Sequence, residues 1–225
     1  MARLARVVVP DIPHHVTQRG NRRQQVFFSD DDYALYRTLL GESCRAAGVA
    51  VLGYCLMPNH VHLILTPSDR DGLRAALGEA HRRYTRCVNF REGWRGYLWQ
   101  GRFASCPMDE AHLLASARYV ELNPVRARLA RRAHDWPWSS ARAHLAGEDD
   151  DLVRVDPLLA LAPDWSDFLA DELNDADHEA IRAGERTGRP LGSARFVAGL
   201  ERRLDRSLAR QKPGPKPRDE VDARR

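Results

Sequence analysis

Cysteine is scarce in this chain of 225 residues, which has four: Cys44, Cys55, Cys87 and Cys106. They lie 11, 32 and 19 residues apart, so no Cys-x-x-Cys pair indicates a zinc knuckle or a dithiol redox site. Long apolar runs are also missing. The longest, Val49 to Met57, has nine residues and is too short to cross a bilayer. Near the start, Val7-Val8-Val9 ends at Pro10-Asp11, which is unlike a signal peptide, so we expect a cytoplasmic protein.

The charges are distributed unevenly along the chain. The formal net charge is +4, but residues 1–146 carry +8, residues 147–180 carry −11 and residues 181–225 carry +7. Clustered arginine and lysine release counterions from phosphates, so the two basic blocks favour a polyanionic partner. We therefore divide the chain into a main domain (1–146), an acidic connecting segment (147–180) and a basic C-terminal helix with a flexible tail (181–225). The hydrophobic fraction of 43% is that of a globular protein.

Apolar periodicity and turn signals predict the order β-α-β-β-α-β, followed by a further helix. This order is typical of an α+β fold with a ferredoxin-like (RRM-like) antiparallel sheet and helices on one face. A last amphipathic helix is predicted around Phe196, Leu200 and Leu204. The predicted strands cover residues 14–19, 49–57, 60–66 and 102–108, and the helices cover 29–48, about 71–88 and the residues from 109 through 119.

The third predicted strand carries a His-x-His pair. Strand alternation places His60 and His62 on one face and Val61, Leu63 and Leu65 on the other. Two imidazoles on one face can share a divalent ion that polarises a phosphoryl oxygen. Exposed or hydrogen-bonded histidines are the alternative. We assign structural roles to the other histidines considered, which are His14, His15, His81 and His112.

Tyr119 and Asn123 are four residues apart near the end of a predicted helix, so their side chains project from one face. A tyrosine can serve as a covalent nucleophile, and an asparagine amide can bind a metal ion. Alternatively, Tyr119 packs in the core and Asn123 caps the helix before Pro124.

Taken together, these patterns resemble a single-tyrosine transposase of the HUH nuclease superfamily. Insertion-sequence members of that family carry Gln where Asn123 stands. Asn at this position, with a long basic C-terminal extension, resembles the REP-associated tyrosine transposases. The motifs that carry the resemblance are Val16-Thr17-Gln18-Arg19-Gly20-Asn21, Met57-Pro58-Asn59-His60-Val61-His62, Gly101-Arg102-Phe103, Tyr119 through Ala127, Trp138-Ser139-Ser140 and Gly188-Arg189-Pro190-Leu191-Gly192-Ser193.

The resemblance implies an enzyme that cuts and rejoins single-stranded DNA at palindromic hairpin repeats. His60, His62 and Asn123 would hold Mg²⁺ or Mn²⁺, and Tyr119 would attack the scissile phosphate. The products would be a 5′-phosphotyrosine link and a free 3′-hydroxyl. It also implies that residues 1–146 are the catalytic domain, in a monomer or homodimer associated with the nucleoid.

Candidate DNA contacts follow the first strand and lie near the C-terminus. Arginine and asparagine suit hydrogen bonds to base edges and phosphates, although a solvated loop is an equal alternative. The tail resembles a minor-groove clamp, and an unstructured tail without a specific role is its alternative. The candidates are Arg19, Asn21, Arg22, Arg23, Arg102, Arg210, Lys212 and Lys216.

Two other functions compete with this prediction. A His-x-His motif also begins the histidine-triad nucleotide hydrolases, but position 64, where a third histidine would stand, is Ile64. The second alternative is a non-catalytic nucleic-acid-binding regulator on the same fold, which the intact set of His60, His62, Tyr119 and Asn123 argues against.

Overall fold

The protein is described by a computed structural model that covers residues 6–171 and 174–208. Four antiparallel strands form one sheet in the order β2-β3-β1-β4, with α1 and α2 as the connections, so the predicted ferredoxin-like α+β topology is confirmed. The elements are β1 (His14–Arg19), α1 (Asp30–Ala46), β2 (Val49–Met57), β3 (His60–Pro67), α2 (Gly72–Glu92) and β4 (Ala104–Pro107).

The two faces of the sheet pack against different helices. On β3, Val61, Leu63 and Leu65 are buried in the core that the sheet forms with α1 and α2. Alternation turns His62 and Ile64 to the opposite face. The helices between the strands therefore lie on one face, as the ferredoxin-like pattern predicts.

A second helical layer covers the opposite face. There Ile64, Cys55 and Cys106 pack against apolar side chains of α3 (Glu110–Glu121) and α8 (Asp175–Thr187). This layer places α3 directly over the histidines of β3. The remaining α-helices of the described residues are α4 (Asn123–Arg126), α5 (Ala141–Ala146), α6 (Asp156–Leu159), α7 (Trp165–Ala170) and α9 (Ala194–Leu204).

The acidic segment packs onto the body of the protein throughout its described part. Asp150 accepts a 2.6 Å hydrogen bond from the Tyr54 hydroxyl, while Val153 and Trp165 are buried in the cores on the two sides of the sheet. The division at residues 146 and 180 stays a prediction.

The predicted last amphipathic helix is α9, whose Leu200 packs against Val7 and Val9. The predicted contacts Arg210, Lys212 and Lys216 lie outside the described residues. Among the helices of residues 6–171 and 174–208, none is long and apolar enough to cross a membrane.

Gly20, in the loop after β1, and Gly78, on α2, are predicted to respond differently to substitution by alanine. A Cβ at residue 20 would lie 2.2 Å from the carbonyl oxygen of Gln24, and a backbone atom cannot rotate away. At Gly78, which is exposed on α2, a Cβ meets no atom of residues 6–171 and 174–208 within 4 Å. We expect Gly20→Ala to destabilise the protein by roughly 2 kcal/mol and Gly78→Ala to stabilise it by about 0.5–1 kcal/mol in urea unfolding. Equal effects of the two variants would contradict the crowded loop.

Candidate active site

His60 and His62 lie on the sheet face that α3 covers. The side chain of His62 is buried, with 2% of its surface exposed, and His60 is half-buried. The two ring centroids are 4.9 Å apart and the rings meet edge to face. The alternation of β3 thus brings the two imidazoles together, as predicted.

Tyr119 and Asn123 reach the same imidazoles from the helical layer. The Tyr119 ring lies edge-on to His62 with centroids 5.6 Å apart, and the Asn123 amide nitrogen lies 3.1 Å from Nε2 of His62. The sequence places both residues near the end of one helix, before Pro124. In the structure α3 ends at Glu121 and Asn123 begins the short helix α4, because Pro124 has no amide hydrogen for an unbroken helix.

Hydrogen bonds leave Nε2 of each imidazole without a proton. Nδ1 of His60 donates to Oδ1 of Asn59 at 2.6 Å. Nε2 of His62 accepts from the Asn123 amide, so its Nδ1 carries the proton and donates to Nε2 of His15 at 3.1 Å. Both Nε2 atoms therefore keep a lone pair, which is the form that binds metal ions.

Burial keeps these histidines uncharged at neutral pH. It lowers the pKa of His15 to about 4, and burial together with the positive charge of Arg19 lowers the pKa of His60 to about 4. The pKa of His62 falls well below its usual range, mainly because of burial and then because of the neighbouring imidazoles. Both Nε2 lone pairs are therefore available at pH 7.

Four side chains that the sequence analysis did not place in the site also belong to it. His15 had been assigned a structural role, but it contacts His62 because the β1–β3 register brings the strands together. Glu185 on α8 has Oε1 3.5 Å from Nδ1 of His62, and burial raises the pKa of this carboxyl to about 7. His178 lies edge-on to Tyr119 with centroids 5.5 Å apart, and the Arg126 guanidinium lies 4.1 Å above the Tyr119 ring.

A buried carboxylate fixes the end of α3. Glu121, which is 1% exposed, accepts hydrogen bonds from Ser140 Oγ at 2.6 Å and His144 Nδ1 at 2.7 Å through Oε1. Its Oε2 accepts a hydrogen bond from the indole of Trp165 at 2.8 Å. Three donors from other segments therefore hold the helix turn that presents Tyr119 and Asn123.

The described DNA-contact candidates lie around this site. Arg19 is half-buried and pairs in register with His60. Arg22 and Arg23 are exposed in the loop after β1 and adopt left-handed backbone angles, with φ of 54° and 62°. Asn59 donates to the carbonyl oxygen of Arg23 at 3.1 Å, so the amide that orients His60 also fixes this loop. In the same loop Asn21 is half-buried, and Arg102 is exposed just before β4.

Comparison with known proteins identifies the family. The family model described as "Transposase IS200 like" matches residues 8–123. The chain belongs to the IS200-like transposase family. That span includes the His-x-His pair, Tyr119 and Asn123, so the resemblance predicted from the motifs is confirmed.

This IS200-like transposase is similar to two curated REP-associated tyrosine transposases. The Escherichia coli protein is 24% identical over 153 residues, which cover 68% of this chain and 85% of the relative. The Haemophilus influenzae protein is 24% identical over 124 residues, which cover 50% of this chain and 70% of the relative. A solved REP-associated tyrosine transposase bound to a REP hairpin has 21% identity and a TM-score of 0.57, covering 67% of this chain and 90% of its own, and it shows the same fold.

In this IS200-like transposase, the Glu121 network predicts a marked loss of stability for Glu121→Gln. In the glutamine variant an NH₂ group replaces one of the two carboxylate oxygens, and an NH₂ group cannot accept a hydrogen bond. It would face either the indole of Trp165 or the donors of Ser140 and His144, so at least one hydrogen bond is lost. We expect the free energy of unfolding to fall by about 1–3 kcal/mol in urea titration. Glu148→Gln, on an exposed carboxylate, is the control and should change it by less than about 0.5 kcal/mol. Similar losses for both variants would show that the network contributes nothing specific.

Proposed function

We propose that this transposase is a metal-dependent endonuclease and strand transferase that acts on single-stranded DNA at palindromic hairpin repeats. The observation that carries the proposal is the meeting of Tyr119, two uncharged imidazoles and the Asn123 amide within one buried cluster. A phenol, a metal-ligating pair and an amide are the groups that transfer of a phosphodiester to tyrosine requires.

The donor set fits a divalent ion. His60 and His62 both offer an Nε2 lone pair, and a half-turn of the Asn123 amide puts Oδ1 where its nitrogen now contacts His62. Imidazole nitrogen and amide oxygen suit Mn²⁺, and Mg²⁺ accepts such ligands alongside water. When bound, the ion would offset the negative charge of a phosphoryl oxygen. His60, His62 and Asn123 would therefore hold it.

The proposed reaction transfers the phosphodiester between two oxygens. The Tyr119 hydroxyl oxygen attacks phosphorus, the bond from phosphorus to the 3′ oxygen breaks, and the phenolic proton is lost. The 3′ oxygen takes up a proton, which leaves a 3′-hydroxyl and a 5′-phosphotyrosine. Rejoining is the reverse attack by a 3′-hydroxyl, which releases Tyr119 with its proton restored.

Two neighbours support Tyr119 in this role. The Arg126 guanidinium above the ring attracts the negative charge that the phenol gains as its proton leaves. His178 packs against the edge of the ring, and partial burial together with Arg126 and Arg182 lowers the pKa of this histidine. An uncharged imidazole beside Tyr119 is suited to accept the proton.

The relatives suggest the substrate. Both curated relatives are named for REP elements, and the solved relative holds a REP hairpin. We propose hairpin-forming single strands as the substrate, with the cytoplasm and its nucleoid as the place of action. The tyrosine and both imidazoles meet within one chain, so the chemistry needs no second copy. All four proposed site residues lie within 1–146, which we keep as the proposed catalytic domain.

The decisive experiment is an adduct assay on denaturing gels. The protein is incubated with hairpin-containing single strands from its own genomic neighbourhood, with Mn²⁺ or with EDTA. We expect a metal-dependent protein–DNA adduct that falls by a factor on the order of 10³ or more in Tyr119→Phe, because this variant lacks the attacking oxygen. Tyr97→Phe, on a tyrosine that is 87% exposed, is the control and should form the adduct normally.

The same assay tests the second function, a non-catalytic DNA-binding regulator. Tight binding without an adduct in any metal would support the regulator and contradict the proposed nuclease. An adduct that survives Tyr119→Phe would show that another residue is the nucleophile.

The loop after β1 is proposed as a DNA contact, and its two exposed arginines give the test. Replacing Arg22 and Arg23 with alanine should weaken single-strand binding and make the slope of log K against log salt shallower by about 1.4, since each lost phosphate contact contributes about 0.7. Arg74→Ala is the control, because this exposed arginine lies near the start of α2, at the opposite end of β3. Fluorescence anisotropy across a salt series measures both quantities. An unchanged slope in the double variant would exclude phosphate contacts by this loop.

A further inference from the structure

Behind the proposed catalytic cluster, three ligand-type side chains converge from three elements. They are His15 on β1, His62 on β3 and Glu185 on α8. Nδ1 of His62 lies 3.1 Å from Nε2 of His15 and 3.5 Å from Oε1 of Glu185, and the last two atoms are 3.9 Å apart. Both histidines are buried, and the carboxylate side chain is 21% exposed.

Hydrogen bonding accounts for only part of this arrangement. One proton can join the two imidazoles, but Oε1 of Glu185 is buried and accepts no hydrogen bond from the part of the chain that the structure describes. A buried oxygen of this kind normally pairs with a donor, a water molecule or an ion. A cation at the point where the three ligand atoms face one another would therefore pair the Glu185 oxygen.

The spacing of the three atoms matches a metal coordination shell. Zinc binds histidine nitrogen and carboxylate oxygen at about 2.0–2.2 Å, so tetrahedral ligand atoms lie roughly 3.4 Å from one another. The observed separations of 3.1, 3.5 and 3.9 Å bracket this value. Two imidazoles and one carboxylate favour zinc or another transition metal over Mg²⁺, and three protein ligands leave a fourth position for water.

Glu185 lies at the edge of the buried trio. Its side chain is 21% exposed and lines a surface pocket, whose other lining residues include Arg102, Ser105, Arg186 and Gly188. The carboxylate is therefore the member of the trio nearest to solvent, and a metal site that loads after folding needs an entry path.

We propose that His15, His62 and Glu185 form a second metal site, which takes Zn²⁺ or a similar transition-metal ion. It is distinct from the proposed site at Nε2 of His62, because it uses Nδ1. When the ion binds, the Nδ1 proton moves to Nε2 or is released to solvent. A neutral imidazole has one lone-pair nitrogen, so His62 serves one of the two sites at a time.

The test is a titration of the full-length protein with Co²⁺, followed by the visible absorption of the bound ion and by its displacement with Zn²⁺. No DNA is present, so the result does not depend on the proposed function. We expect Glu185→Gln to weaken Co²⁺ binding at least tenfold. His60→Ala should keep the Co²⁺ absorption that is lost in Glu185→Gln, because His60 belongs only to the other proposed site. The matched control is Glu179→Gln, an exposed carboxylate on the same helix.

Each outcome of the titration decides the proposal. Binding that is lost in His60→Ala but kept in Glu185→Gln would place the ion at Nε2 and overturn it. No binding to the unmodified protein would also overturn it and leave the trio as hydrogen-bonded support for His62.

Cys87→Ser is included because this cysteine is exposed, and loss of binding in that variant would show a thiolate site instead. Circular dichroism checks that every variant is folded. A protein that binds Co²⁺ through Glu185 but never forms a DNA adduct would support this site and contradict the nuclease.

Discussion

The position of Tyr119 depends on a carboxylate two residues further along the chain. Glu121 is buried, and removing a carboxylate from water is costly unless its oxygens accept good hydrogen bonds. Ser140, His144 and Trp165 supply those bonds from segments that follow α3, so the segments must be docked before the carboxylate is satisfied. The turn that presents the tyrosine is therefore defined by tertiary contacts as well as by helix geometry.

Both faces of the sheet bury an apolar core, and the candidate site lies on one of them. One face carries an aliphatic and aromatic core with α1 and α2, and the other carries the site's uncharged imidazoles beside apolar residues under α3 and α8. Burial removes charge from the histidines, while Arg19 and Arg126 keep positive charge beside them. The resulting electrostatic environment favours an anion next to the tyrosine, which is what a phosphodiester substrate needs.

The topology and the imidazole pair could be predicted because they rest on local patterns. Alternation along β3 is enough to place His60 beside His62, and turn signals set the order of the elements. His15 could not be assigned to the site in this way, because its contact with His62 depends on the register between β1 and β3. Glu185 was harder still, since it reaches the site only through the packing of α8, more than 60 residues after Tyr119. Pro124 predicts that the helix carrying Tyr119 ends near Asn123, and α3 ends two residues earlier, at Glu121.

The Glu121 network has a consequence for how the chain can be divided. The family model ends at residue 123, yet all three partners of Glu121 come after that residue. A fragment ending there would keep both imidazoles, Tyr119 and Asn123 but would leave a carboxylate in an apolar layer with none of its donors. The end of the family model is thus not a limit of folding. Relatives that share only this span must satisfy the same turn by other means or use another residue at the position of Glu121.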